Sequence, residues 1–117
     1  MLAIMKNLFA LRNLRPGWDS YGAQPVPQRI IERTAQLIPS LLSAWTPNPA
    51  IVPQVNGGLQ IEWHRNGIDL EIYIDSAENI HFAAEDRSSG EEVEAAFSGN
   101  EDLLLGWIAR ISDRYGS

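Results

Sequence analysis

The sequence predicts an α+β domain of two layers: a three- to four-stranded antiparallel sheet with N-terminal helices and a C-terminal helix on one face. Three observations predict it. First, GGLQIEWHRNGIDLEIYID at 57–75 holds two alternating apolar runs on either side of Asn66-Gly67. That pair suits a two-residue type I′ turn, because both central residues need positive φ. Second, apolar residues recur at helical spacing before the hairpin and again at the end of the chain. Third, 117 residues without cysteine make one domain, 1–117, long enough to bury a core without disulfide staples.

Taken in order, Ile4, Met5, Leu8 and Leu11 form a helical stripe, so a helix is predicted over 2–13. Lys6 interrupts its apolar run and no small-x-small cleavage site follows, which argues against a signal peptide. Pro16-Gly17 ends the helix. The loop Trp18-Asp19-Ser20-Tyr21-Gly22-Ala23 follows, with aromatics expected to pin it to the core and Asp19 and Ser20 expected to bond nearby backbone N–H groups. A second helix is predicted from Pro25-Val26-Pro27, with Ile30, Ile31, Thr34, Leu37, Ile38, Leu41 and Trp45 on its stripe. Pro39 should kink or end it near Ile38. Ile51-Val52-Pro53-Gln54-Val55 is a short extended segment whose proline suits a sheet edge.

In the hairpin, Leu59, Ile61 and Trp63 share a face with Ile68, Leu70, Ile72 and Ile74. A third strand is predicted at Ile80, Phe82 and Ala84, pairing Ile74 with Ile80 and Ile72 with Phe82. Glu85 to Glu92 reads as a mobile polar loop. Val93, Ala95 and Phe97 alternate as a weak fourth strand. Asn100 caps the last helix, Glu101 and Asp102 occupy its first turn, and Leu103, Leu104, Trp107, Ile108 and Ile111 form its stripe. Residues 114–117 read as a frayed end. All four tryptophans are expected in the core, with exposure of Trp45 as a binding anchor the alternative.

Charge bears on function. The net charge is −6, yet residues 62–102 hold twelve acids against Arg65 and Arg87. An acidic half repels the phosphate backbone, so direct nucleic-acid binding is disfavoured and a protein partner with a basic surface is the electrostatic counterpart. No apolar run reaches a membrane span, so no membrane association is expected. The lack of cysteine fits a cytoplasmic protein.

The run Trp18-Asp19-Ser20-Tyr21-Gly22-Ala23, then Pro25, Pro53, Gly57-Gly58-Leu59-Gln60-Ile61-Glu62-Trp63 and Leu70-Glu71-Ile72 resembles a group of small bacterial and phage proteins. Those share a W-(D/N)-x-Y-x-A loop, a P-x-x-x-G-G-(I/L)-x-(L/I)-E-W strand and an L-E-I strand. The resemblance covers residues 17–75. It singles out Trp18, Asp19, Tyr21, Gly57, Gly58, Glu62, Trp63 and Glu71 and implies no activity.

With Asn66-Gly67 as the turn, His64 should face Asp69, Glu62 should face Glu71 and Gln60 should face Tyr73, with His81 opposite Tyr73. Directly opposed carboxylates disfavour each other on an empty surface. Solvated carboxylates, a site for a partner's Arg or Lys, and a metal or acid–base site are the three readings. His64 and His81 lie two strands apart, so no metal is expected. No nucleophile elbow or phosphate-cradling loop is present, so neither a catalytic residue nor a cofactor is expected. The reading is a non-catalytic protein-binding module, antitoxin-like or the regulatory member of a two-protein system. Its partner-binding residues are Glu62, His64, Asp69, Glu71, Tyr73 and His81, with Trp18, Asp19 and Tyr21 in the loop. The alternatives are a phage-derived inhibitor that imitates nucleic acid toward a basic nuclease or defence complex, and a small enzyme of unknown type.

Overall fold

The computed structural model describes residues 2–115 and shows an α+β fold of three α-helices and a five-stranded antiparallel sheet. Helix α1 spans Leu2–Ala10 and runs into a 3₁₀ turn at Leu11–Asn13. Helix α2 spans Gln28–Leu41 and α3 spans Glu101–Tyr115. The strands are β1 (Ala50–Pro53), β2 (Leu59–Arg65), β3 (Ile68–Ile74), β4 (Ile80–Asp86) and β5 (Glu91–Ala96), in the order β1-β2-β3-β4-β5. Every connection joins neighbouring strands, as an antiparallel meander allows.

The hairpin forms as its sequence predicts. Asn66 and Gly67 have φ of 53° and 81°. That turn sets the register: Glu62 opposite Glu71, His64 opposite Asp69, Gln60 opposite Tyr73. Ile74 then pairs Ile80, Ile72 pairs Phe82 and Tyr73 pairs His81. One face of β2–β4 is buried, and its residues join Ile4, Leu8, Ile30, Ile38, Leu104 and Trp107 of the helices in a single apolar cluster. The opposite face carries the polar alternates.

Several expectations need correction. The sheet has five strands, because Ile51–Pro53 pairs with β2 while its proline sits on the edge. Helix α2 begins after Pro27, which caps it from an extended conformation, so neither Pro25 nor Pro27 is inside it. Pro39 does not stop the helix. The ring is exposed in the last turn, and burial of Leu37, Ile38 and Leu41 holds that turn despite the lost backbone donor. The polar segment after Ala84 is not a long loop: β4 runs to Asp86 and β5 starts at Glu91. Asp86 is 1% exposed and pairs with Arg110 of α3 at 3.1 Å, while the Arg110 guanidinium lies 4.2 Å over the Trp107 ring. A charge buried this deeply is tolerated because it is paired and also bonded by Ser88. Helix α3 continues to Tyr115, so the expected fraying at 114–115 is not seen; Gly116 and Ser117 lie outside the described residues.

The tryptophans divide. Trp63 and Trp107 are buried, Trp18 is half-buried and Trp45 is 80% exposed. The alternative reading of Trp45 therefore holds as to exposure. Among the described residues no helix is long and apolar enough to cross a membrane.

Candidate functional site

The uncovered face of the sheet is the candidate site, and the pairing register places its side chains in rows. One row reads Gln60, Tyr73, His81, Ala96 across β2–β5. The next reads Glu62, Glu71, Ala83, Glu94. The third reads His64, Asp69, Glu85, Glu92. Strand periodicity alone puts these residues together, since every second side chain leaves the core. Six of the twelve acids of residues 62–102 are thereby gathered on one surface. An open hollow of about 460 Å³ lies over the small side chain of Ala83, walled by Glu71, Glu94, Asp69, Glu85 and Glu92.

His64 organises the near end of this face. Its Nδ1 lies 2.7 Å from Asp69 Oδ1, and Asp69 Oδ2 accepts from Arg87 Nη1. Its Nε2 lies 3.6 Å from Glu62 Oε1 and 3.9 Å from Glu71 Oε1. The bond to Asp69 holds the charged imidazole favoured and raises the His64 pKa, against a smaller opposing effect of desolvation. The same bond, with Arg87 behind it, lowers the pKa of Asp69. Gln60 Nε2 donates to Glu62 Oε2 at 2.6 Å and fixes that carboxylate. The two opposed glutamates thus share one imidazole between them.

Tyr73 and His81 stand elsewhere on the face. Their rings meet edge-on with centroids 5.0 Å apart, and the Tyr73 hydroxyl lies 2.7 Å from the Asn56 amide. His81 is not brought to His64, as the two-strand separation implied.

The Trp18–Ala23 loop is a built turn. Asp19 Oδ1 accepts from the backbone N–H of Tyr21 at 2.8 Å and of Ala23 at 3.0 Å, which lowers its pKa. Trp18 Nε1 donates to the Gln24 carbonyl at 2.7 Å. Gln24 N–H in turn bonds the Val55 carbonyl, docking the loop beside Asn56-Gly57. Contrary to expectation, Tyr21 does not pin the loop: it is 92% exposed.

Most residues singled out by the pattern over 17–75 therefore have structural work. Trp18 and Asp19 hold the loop. Gly57, at φ of 91°, lies against Pro25 and Pro27. Gly58 passes so close to β3 that a Cβ would stand 2.6 Å from the Ile74 carbonyl oxygen. Trp63 Nε1 donates to the Pro47 carbonyl at 2.7 Å from within the core. Tyr21 is left exposed, and Glu62 and Glu71 flank the His64 ring on the open face. No family model, curated protein or solved structure matches the chain, so what these residues do is read from their own geometry.

Trp45, whose exposure was the alternative expectation, is 80% exposed. It lines an open groove of about 590 Å³ with Leu41, Leu105, Ile108 and Ala109, between the end of α2 and α3. The proline-bounded stretch Thr46-Pro47-Asn48-Pro49 was the available signal.

Proposed function

We propose that the chain is a non-catalytic binding module whose open sheet face receives a basic surface of a protein partner, as an antitoxin-like or regulatory member of a two-protein system would. The observation that carries this is the row Glu62, Glu71, Ala83, Glu94 beside the row His64, Asp69, Glu85, Glu92, uncovered on a sheet whose other face is filled. Carboxylates in adjacent rows repel one another in the free protein. A partner's Arg or Lys side chains relieve that repulsion, and the hollow over Ala83 leaves room for one to enter. Arg suits such a place because its planar fork engages carboxylates in pairs. The three rows hold no Ser, Thr, Cys or Lys, which favours binding over catalysis. A cytoplasmic setting is part of the proposal and accords with the lack of cysteine.

The test is affinity capture from the native cell with the wild-type chain and with a variant carrying Glu85→Lys, Glu92→Lys and Glu94→Lys. A specific partner retained by wild type, lost with the variant and released at about 0.5 M salt, where exposed charges are screened, supports the reading. Equal retention by both chains refutes it for this face. If the captured partner is a nuclease that the chain inhibits in competition with nucleic acid, the mimic reading replaces the antitoxin-like one.

A further inference from the structure

We propose that Glu62, His64 and Glu71 bind a divalent first-row transition cation, with zinc the reference ion. Three observations lead there. One atom from each residue lies within 4.8 Å of the others, and among the described residues no other set of three or more His, Cys, Asp or Glu side chains converges in this way. The many remaining carboxylates of the face do not assemble such a group, so acidity alone does not produce it.

The second observation is the histidine's orientation. His64 Nδ1 is taken by Asp69, which Arg87 holds from behind, so Nε2 is the ring nitrogen turned toward the glutamates. A carboxylate bonded to one imidazole nitrogen while the other faces the ligand position is how metal-bound histidines are aimed and made more basic. Asp69 thus has a positioning role and is not itself a ligand.

The third is fit. Tetrahedral ligands at ~2.0–2.2 Å from zinc stand roughly 3.3–3.6 Å apart. The two nitrogen-to-oxygen separations, 3.6 and 3.9 Å, approach that value, so small rotations of the exposed ends of Glu62 and Glu71 close the site. Both ligand strands are central in the sheet, and Gln60 already steadies Glu62. Water completes the coordination at this open surface. One imidazole with two carboxylates favours zinc, nickel or copper over magnesium, which prefers all-oxygen shells and gives up its water reluctantly. The ion neutralises the opposed glutamate pair at a place where the free protein has one imidazole to share between them.

The inference does not rest on the protein-partner reading, and its test contains no partner. Tag-free protein is titrated calorimetrically with zinc chloride, then with magnesium chloride, and each variant's fold is checked by circular dichroism. The expected result is one saturable zinc site, at least ~100-fold tighter than any magnesium binding. Glu71→Gln and His64→Gln should each weaken zinc by about tenfold or more, and Asp69→Asn by about 10–100-fold through the lost orientation of His64. Glu92→Gln removes equal charge from the same face outside the set and should change affinity less than about twofold. Absence of saturable binding up to about 1 mM zinc overturns the proposal. So does a loss with Glu92→Gln equal to that with Glu71→Gln, which is the mark of diffuse attraction. If His64→Gln fails to fold, the comparison of Glu71→Gln with Glu92→Gln decides alone.

Discussion

Trp63 joins the sheet to the turn that precedes it, and two substitutions separate its contributions. The side chain is 2% exposed, and its Nε1 donates to the buried Pro47 carbonyl at 2.7 Å. Trp63→Ala removes the whole ring from the cluster shared by β2, β3 and the helices, at a cost of about 3–5 kcal/mol. Trp63→Phe keeps most of the apolar contact but deletes the donor. The Pro47 carbonyl is then a buried acceptor without that partner, a cost of about 1–3 kcal/mol. A domain of this kind has a total stability of roughly 5–15 kcal/mol, so the alanine variant should sit near the edge of folding while the phenylalanine variant stays folded. Equilibrium urea denaturation followed by far-ultraviolet circular dichroism measures both. An alanine variant within about 1 kcal/mol of wild type would refute burial of the ring. A phenylalanine variant equal to wild type would refute the importance of the bond to Pro47.

The remaining predictions concern the turns and the histidine. Gly58→Ala should cost about 1–3 kcal/mol, because its Cβ would stand 2.6 Å from the Ile74 oxygen, a backbone atom that cannot swing aside; an unchanged denaturation midpoint contradicts the close approach. Gly67→Val should destabilise by about 1–2 kcal/mol for the opposite reason, since there is open space around it but φ is +81°, while Gly67→Asn should be milder. Equal stabilities for the two Gly67 variants would overturn the type I′ assignment. His64 should titrate above the ordinary histidine value by NMR, and lower in Asp69→Asn than in wild type. Because the fold favours the charged ring, its contribution is full below the unfolded value of about 6.5 and is lost as pH rises through the raised one, so the stability difference between wild type and His64→Gln should shrink as pH rises above about 6.5. A difference that grows with pH would reverse the sign of the His64 coupling.

The hairpin and its cross-strand pairs were legible because period-two alternation and Asn66-Gly67 act locally and leave one register that buries Ile61, Trp63, Leu70 and Ile72. From that register the opposition of Glu62 to Glu71 and of His64 to Asp69 followed directly. Strand β1 was harder, since four residues ending in proline carry almost no pattern, and its pairing is imposed by the neighbouring edge of β2. The ends of β4 and β5 were hidden by Asp86 and Glu91: Asp86 is buried because Arg110 reaches it from α3, and the same guanidinium meets Glu91, which stays exposed. Pro39 obeyed tertiary burial over local propensity. The convergence of His64 Nε2 on two carboxylates was out of reach of the sequence, because it depends on which way the ring turns, and Asp69 with Arg87 decides that.

The central claim, that the open acidic face receives a cationic partner, meets its most direct test in the double variant Glu62→Lys/Glu71→Lys. The substitution keeps a like-charge pair across the strands, so stability should move by only about 1 kcal/mol. Lysines opposite a basic surface cost several kcal/mol across an interface, so affinity for the captured partner should fall by about a hundredfold or more. The measurement is a titration of that partner against wild type and the double variant, with a melting curve for each. Retained folding with lost binding is the expected result. Unchanged affinity in a folded double variant would contradict it and move the site to the Trp18–Ala23 loop.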